Sequence, residues 1–233
     1  MTDDRMARWW AAFTIPALPA VAWDATGLDY PLARVAGGPE GFAARGHWLL
    51  QGVIHDGGRW LAWAAATALC VAIWWPIGPL RRLSLGRRLQ CAVSVLGAVL
   101  TVSLLKHVSS IHCPWDLSAF GGWVDPGRLS TSATDAGSAP GHCFPAGHAT
   151  AGFAFVSGHL AFRGVDERIA RAWLCAALLV GTAFGLAQQW RGAHFMSHTL
   201  WSAVTCWWVA LAGDALRRSA ERRWPYLDRA SDD

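Results

Sequence analysis

Charge is scarce in this chain. Charged residues make up 15% of its 233 positions, against about 25% in a typical soluble domain. Lysine occurs once, as Lys106, and tyrosine twice. Six cysteines over this length are too sparse for a small disulfide-stapled fold. There is no collagen-like triplet repeat, and the low charge argues against intrinsic disorder. No Walker motif, dinucleotide fingerprint or serine-nucleophile elbow occurs, so nucleotide enzymes and serine hydrolases have no support. No basic recognition helix or zinc finger is present either, which leaves nucleic acid out as a partner.

What the chain has in quantity is apolar: 53% hydrophobic residues, with 16 tryptophans. Six spans of roughly 20 residues would fit in this length. They read at 7–23, 60–77, 89–105, 145–162, 172–187 and 195–212. A signal peptide is the rival reading of the first, because Arg5 and Arg8 precede a short apolar run. Residues 24–58 read as a mixed loop with a short surface helix near 48–55. Residues 107–144 are polar and carry no span.

The basic residues sort with that arrangement. The N-terminus, the 81–88 and 163–171 turns and the C-terminal tail would share one side and hold 14 of 20 basic residues. The positive-inside rule then puts both termini in the cytoplasm of a bacterial inner membrane. The expectation is an all-α, six-transmembrane-helix bundle, one domain over 1–233, whose outer face looks into the periplasm. Eight of nine histidines, all but His159, fall on or beside that outer face. Polar groups gathered at membrane depth need partners, and this raises the prior for a site.

Three clusters supply candidates. In the first, Lys106 stands at the end of a span, followed by His112, Cys113, Pro114 and Asp116. A lone lysine there is either a snorkelling anchor or a compact phosphate ligand. In the second, Pro145-Ala146-Gly147-His148 opens a helical run, where backbone N–H groups and His148 can face an anion. In the third, Gln188 and Arg191 precede His194 and His198. Those two histidines are four apart and so share a helix face, and Arg191 can grip phosphate oxygens bidentately. The alternative is a hydrated helix end with interfacial histidines.

These clusters resemble the type 2 phosphatidic acid phosphatase superfamily. Its pattern is a Lys, six residues, then Arg-Pro; later Pro-Ser-Gly-His; then Ser-Arg, five residues, His, three residues and Asp. Lys106 and Pro114 match the first motif, with Cys113 at the arginine place. Pro145, Gly147 and His148 match the second, with Ala146 at the serine place. His194 matches the third, with Ala187 and Gln188 at the Ser-Arg places and His198 at the aspartate place. The resemblance covers a core of about 89–212.

The resemblance implies removal or transfer of a phosphate from a membrane lipid phosphate or pyrophosphate at the periplasmic face. His194 would be the nucleophile forming a phosphohistidine, and His148 the acid and then the base. His198 or Asp116 would orient His194. Lys106, Arg191, Gly147 and Gln188 would hold the phosphate. The partner is a phosphorylated membrane lipid, and no cofactor is expected. Two alternatives stand beside this reading. One is a catalytically degenerate protein that binds a lipid headgroup or serves assembly. The other is a metal-dependent hydrolase using the histidines, although no stretch has compact ligand spacing, so no metal is assigned. Cys113 and Cys143 bracket the outer loop and are either a disulfide or two free thiols.

Overall fold

The computed structural model describes residues 3–125 and 141–224. Among them the architecture is helical, with one two-stranded ribbon. The helices are α1 (Asp3–Thr14), α2 (Leu18–Thr26), α3 (Asp29–Ala36), α4 (Gly58–Val71), α5 (Leu85–Val108), α6 (Gly147–Phe153), α7 (Ser157–Phe162), α8 (Glu167–Trp190) and α9 (Met196–Arg223). The strands β1 (Gly37–Gly38) and β2 (Gly41–Phe42) pair antiparallel. A π-helical segment, Leu49–Gly57, runs directly into α4.

The long helices begin where local chemistry dictates. The Ser84 hydroxyl accepts the Arg87 N–H at the start of α5. The Asp166 carboxylate accepts the N–H groups of Arg168 and Ile169 at the start of α8, at 3.0 and 3.1 Å. Each satisfies backbone donors that a helix start leaves without partners.

α5, α6, α7, α8 and α9 pack around one apolar core that includes Val95, Ala98, Ala149, Phe153, Ala177 and Cys206. α6 meets α8 backbone to backbone: a Cβ on Gly152 would lie 2.2 Å from the Gly181 nitrogen. α1 and α2 lie along α9, held by Trp207 and Trp208, whose indole N–H groups donate to the carbonyls of Ala12 and Phe13. A smaller cluster of Ala33, Phe42, Leu117, Phe120, Val124 and Phe195 covers the end of the bundle where the Lys106 end of α5 lies. At the opposite end the buried Arg217 is clamped by Asp214 at 2.7 Å and Glu221 at 2.5 Å.

The six-span expectation does not hold. Among the described residues two helices, α5 and α8, are long and apolar enough to cross a membrane. The others fail for local reasons. The 7–23 run contains Pro16 and Pro19 and breaks into α1, a 3-10 turn and α2. The 60–77 run is helical only to Val71. The 145–162 run splits into α6, a 3-10 turn and α7. α9 is long enough, but its buried side carries Ser197, His198, Thr199, Ser202, Thr205 and Asp214, which dilute its hydropathy. The charge ledger depended on six alternating spans. The multi-pass inner-membrane placement, with cytoplasmic termini and a periplasmic site, therefore falls with them. α5 and α8 do keep exposed apolar flanks, among them Val93, Leu100 and Leu104 on α5 and Leu179 on α8.

Candidate functional site

The end of the bundle covered by the smaller cluster gathers groups from five separate elements. Lys106 sits in the last turn of α5, and its backbone carbonyl lies 3.2 Å from His142 Nδ1. Gly147 and His148 open α6, and Lys106 Nζ lies 4.0 Å from where a Gly147 Cβ would stand. That opening is pinned to α9 because the Ala146 N–H donates to the His198 carbonyl at 3.2 Å. His194 lies in the α8–α9 turn, where Gly192 takes φ +77°, a conformation that suits glycine. The Trp115 N–H donates to the Gly192 carbonyl at 3.0 Å, bringing the segment after α5 against this turn.

Cys113 and Cys143 form a disulfide with a Cα–Cα distance of 5.2 Å. It joins the segment after α5 to the approach to α6. Cys143 Sγ stands 3.5 Å from His194 Nδ1, and His198 Nδ1 stands 3.5 Å from the same His194 nitrogen. The ligand atoms of Cys143, His194 and His198 all lie within 4.8 Å of one another, and all three residues are buried.

Burial, and after it the proximity of His198, Lys106 and His148, pushes His194 well below its ordinary value. Burial, then His55, Lys106, Arg191 and Arg59, lowers His148 to about 3. Burial lowers His198 to about 4, against a smaller upward pull from Asp29. All three imidazoles are therefore neutral at pH 7. His148 Nε2 is buried with no hydrogen-bond partner among the described residues.

Other candidates are engaged elsewhere. Arg191 is buried, and donates from Nε to the Arg45 carbonyl and from Nη1 to Gln188 Oε1, both at 3.0 Å. Gln188 thus holds Arg191, while its own Nε2 is buried without a partner among the described residues. The Asp116 carboxylate accepts the Cys113 N–H at 3.2 Å, closing a 3-10 turn. No contact joins it to His194 among the described residues.

Three further residues belong here that the motifs did not flag. His55, in the π-helical segment, stacks on His148 with ring centroids 3.6 Å apart, and Asp56 Oδ1 lies 2.8 Å from its Nδ1. Arg59, one turn further on, shares a cavity with Lys106, Gly147 and His148. Asp29 opens α3 and accepts hydrogen bonds from the Trp23 indole at 2.7 Å and the Ser197 N–H at 3.0 Å. Neither Asp29 nor the 55–59 stretch carries a local pattern; the fold alone brings them in.

That cavity, of about 240 Å³, has a cationic end and apolar walls that include Ala62, Trp63, Ala66, Val95, Val99 and Phe155. A wholly apolar groove of about 480 Å³ shares Ala62, Ala151 and Phe155 with it.

These findings overturn the phosphohistidine reading of a six-span periplasmic enzyme. Two membrane-length helices are present among the described residues, and the cluster around His194 consists of histidine and cysteine rather than a carboxylate. A neutral imidazole at 3.5 Å is a poor stabiliser for the charge that a phosphorylated histidine would develop.

A family model described as the PAP2 superfamily matches residues 88–219. No curated protein and no solved structure matches the chain.

Proposed function

The chain belongs to the PAP2 superfamily, and from that premise we propose that it is a catalytically degenerate member that binds the phosphorylated headgroup of a membrane lipid. Phosphatase-type hydrolysis belongs to the family, and lipid phosphates in general are consistent with membership. One observation carries the narrower reading. The cavity that Lys106, His148 and Arg59 line at one end is apolar along the rest, which suits an anion attached to a hydrocarbon tail. A small number of placed polar groups in a largely apolar pocket is the usual form of a ligand site. The Nε2 of His148, buried with no partner among the described residues, supports a ligand atom there, since such groups are rarely left unsatisfied.

The degenerate motif positions explain why binding is favoured over turnover. Cys113 stands where the family pattern has arginine, and its sulfur is tied to Cys143, so it contributes no positive charge. Ala187 and Gln188 replace the Ser-Arg pair, and Gln188 is spent on Arg191. His198 replaces the aspartate. The groups that would carry phosphoryl charge through a transition state are depleted, while those that hold a ground-state anion remain.

The test is binding of purified protein to vesicles of phosphatidylcholine with and without phosphatidic acid. Wild-type protein and the distant control Arg222→Ala should prefer the phosphatidic acid vesicles. Lys106→Ala should weaken that preference about tenfold or more, since a hydrogen bond to a charged group contributes roughly 1.5–3 kcal/mol. Equal binding to both vesicles, or an unchanged preference in folded Lys106→Ala, would refute the proposal.

A further inference from the structure

We propose that the Cys113–Cys143 disulfide masks a metal site, and that its reduction frees Cys143 to bind a thiophilic divalent cation together with His194 and His198. The inference stands apart from the headgroup reading and needs no lipid.

The geometry points there first. A tetrahedral zinc-like ion has metal–sulfur distances near 2.3 Å and metal–nitrogen distances near 2.0–2.1 Å. Those bond lengths set ligand–ligand edges of roughly 3.5 Å for S···N and roughly 3.3 Å for N···N. Cys143 Sγ to His194 Nδ1 is 3.5 Å, and His194 Nδ1 to His198 Nδ1 is 3.5 Å. The third edge falls within the 4.8 Å that encloses all three atoms. Three protein ligands and one open position is the arrangement of a reactive rather than a structural metal site.

The sulfur is the controlled ligand. In the disulfide Cys143 has no thiolate to offer, and metal binding requires one. Cys143 is fully buried, whereas Cys113 is half-buried. An incoming dithiol therefore meets Cys113 first. One of its thiolates attacks Cys113 Sγ, the S–S bond breaks, and Cys143 departs as a thiolate directly beside His194 and His198. The reagent's second thiolate then attacks the mixed disulfide and releases the Cys113 thiolate. The dithiol is oxidised to its cyclic disulfide, two electrons pass to the protein, and the proton count closes with solvent. The cation binds the Cys143 thiolate and the two neutral imidazoles. Asp29, which draws His198 electrostatically, adds favourable charge nearby, while Lys106 opposes it.

Cobalt(II) titration of the full chain in detergent provides the test. Oxidised protein should show no thiolate-to-cobalt charge-transfer band. Protein reduced with a dithiol and then freed of reagent should take up one equivalent with that band. Cys113→Ser, which leaves Cys143 unpaired, should bind without any reductant. Cys143→Ser should lose the band in both states, which also removes Cys70, Cys91, Cys175 and Cys206 as its source. His198→Ala should weaken binding by about tenfold or more, the scale on which metal sites respond to altered surroundings. Reduced wild-type protein that takes up no cobalt, or a band that persists in Cys143→Ser, would overturn the proposal whether or not every variant folds.

Discussion

Replacing Gly152 by alanine should separate two helices that the fold requires in contact. The added Cβ would stand 2.2 Å from the Gly181 nitrogen, 2.6 Å from its Cα and 2.7 Å from the Val180 carbonyl carbon. All three obstacles are backbone, so no side chain can rotate aside. Relief to an ordinary contact near 3.7 Å needs α6 and α8 to part by about 1.5 Å, and overpacking of this kind typically costs about 1–3 kcal/mol. The upper end applies, because packed backbones are the least yielding neighbours. For a domain of this size each kcal/mol lowers the melting temperature by about 2–4 °C. Gly152→Ala should therefore melt about 6–12 °C below wild type in a detergent-solubilised thermal scan. Gly38→Ala is the control, since a Cβ there meets nothing within 4 Å. The reasoning fails if Gly152→Ala melts with wild type, or if Gly38→Ala falls as far.

Acid should destabilise the fold. His148 and His198 are held at about 3 and about 4 but protonate near 6.5 when unfolded. The unfolded state thus binds more protons below pH 6.5, and each histidine removes about 1.4 kcal/mol per pH unit down to its folded value. Melting temperature should fall steadily from pH 7 to pH 5, and a flat profile would count against buried neutral imidazoles. Reducing the Cys113–Cys143 bridge, whose partners are 30 residues apart, should cost about 3–4 kcal/mol on the loop-entropy account. Chemical denaturation with and without reductant measures it, and Cys143→Ser should abolish the difference. Asp214→Asn leaves buried Arg217 with one of its two carboxylate partners removed and should cost about 3–5 kcal/mol; the same denaturation assay should show a loss well beyond that of exposed Arg222→Ala.

The superfamily was legible because its motifs are local. Lys106 followed by Pro114, Pro145 with Gly147 and His148, and the position of His194 can be read along the chain. The span count was not legible, because windowed hydropathy does not register how a helix ends. Pro16 and Pro19 interrupt a run whose average is apolar, and a 3-10 turn divides α6 from α7 within another. In α9 several polar residues fall on the inward face, so an apolar lean along 195–212 concealed buried hydroxyl and imidazole groups set among its apolar contacts. His55, Arg59 and Asp29 reach the site by tertiary packing, and no spacing rule finds such residues. The surroundings of His194 were half legible. The histidine at the aspartate place could be read, but its 3.5 Å approach and the sulfur of Cys143 alongside could not.

Phosphorus-31 resonance of a short-chain phosphatidic acid mixed with stoichiometric wild-type protein in micelles tests the central claim most directly, because it separates holding a phosphate from cleaving it. The account predicts a shifted or broadened lipid phosphate signal that returns to its free position in Lys106→Ala, with no inorganic phosphate appearing over hours. Inorganic phosphate accumulating with the wild-type protein, and not with His194→Ala, would contradict it.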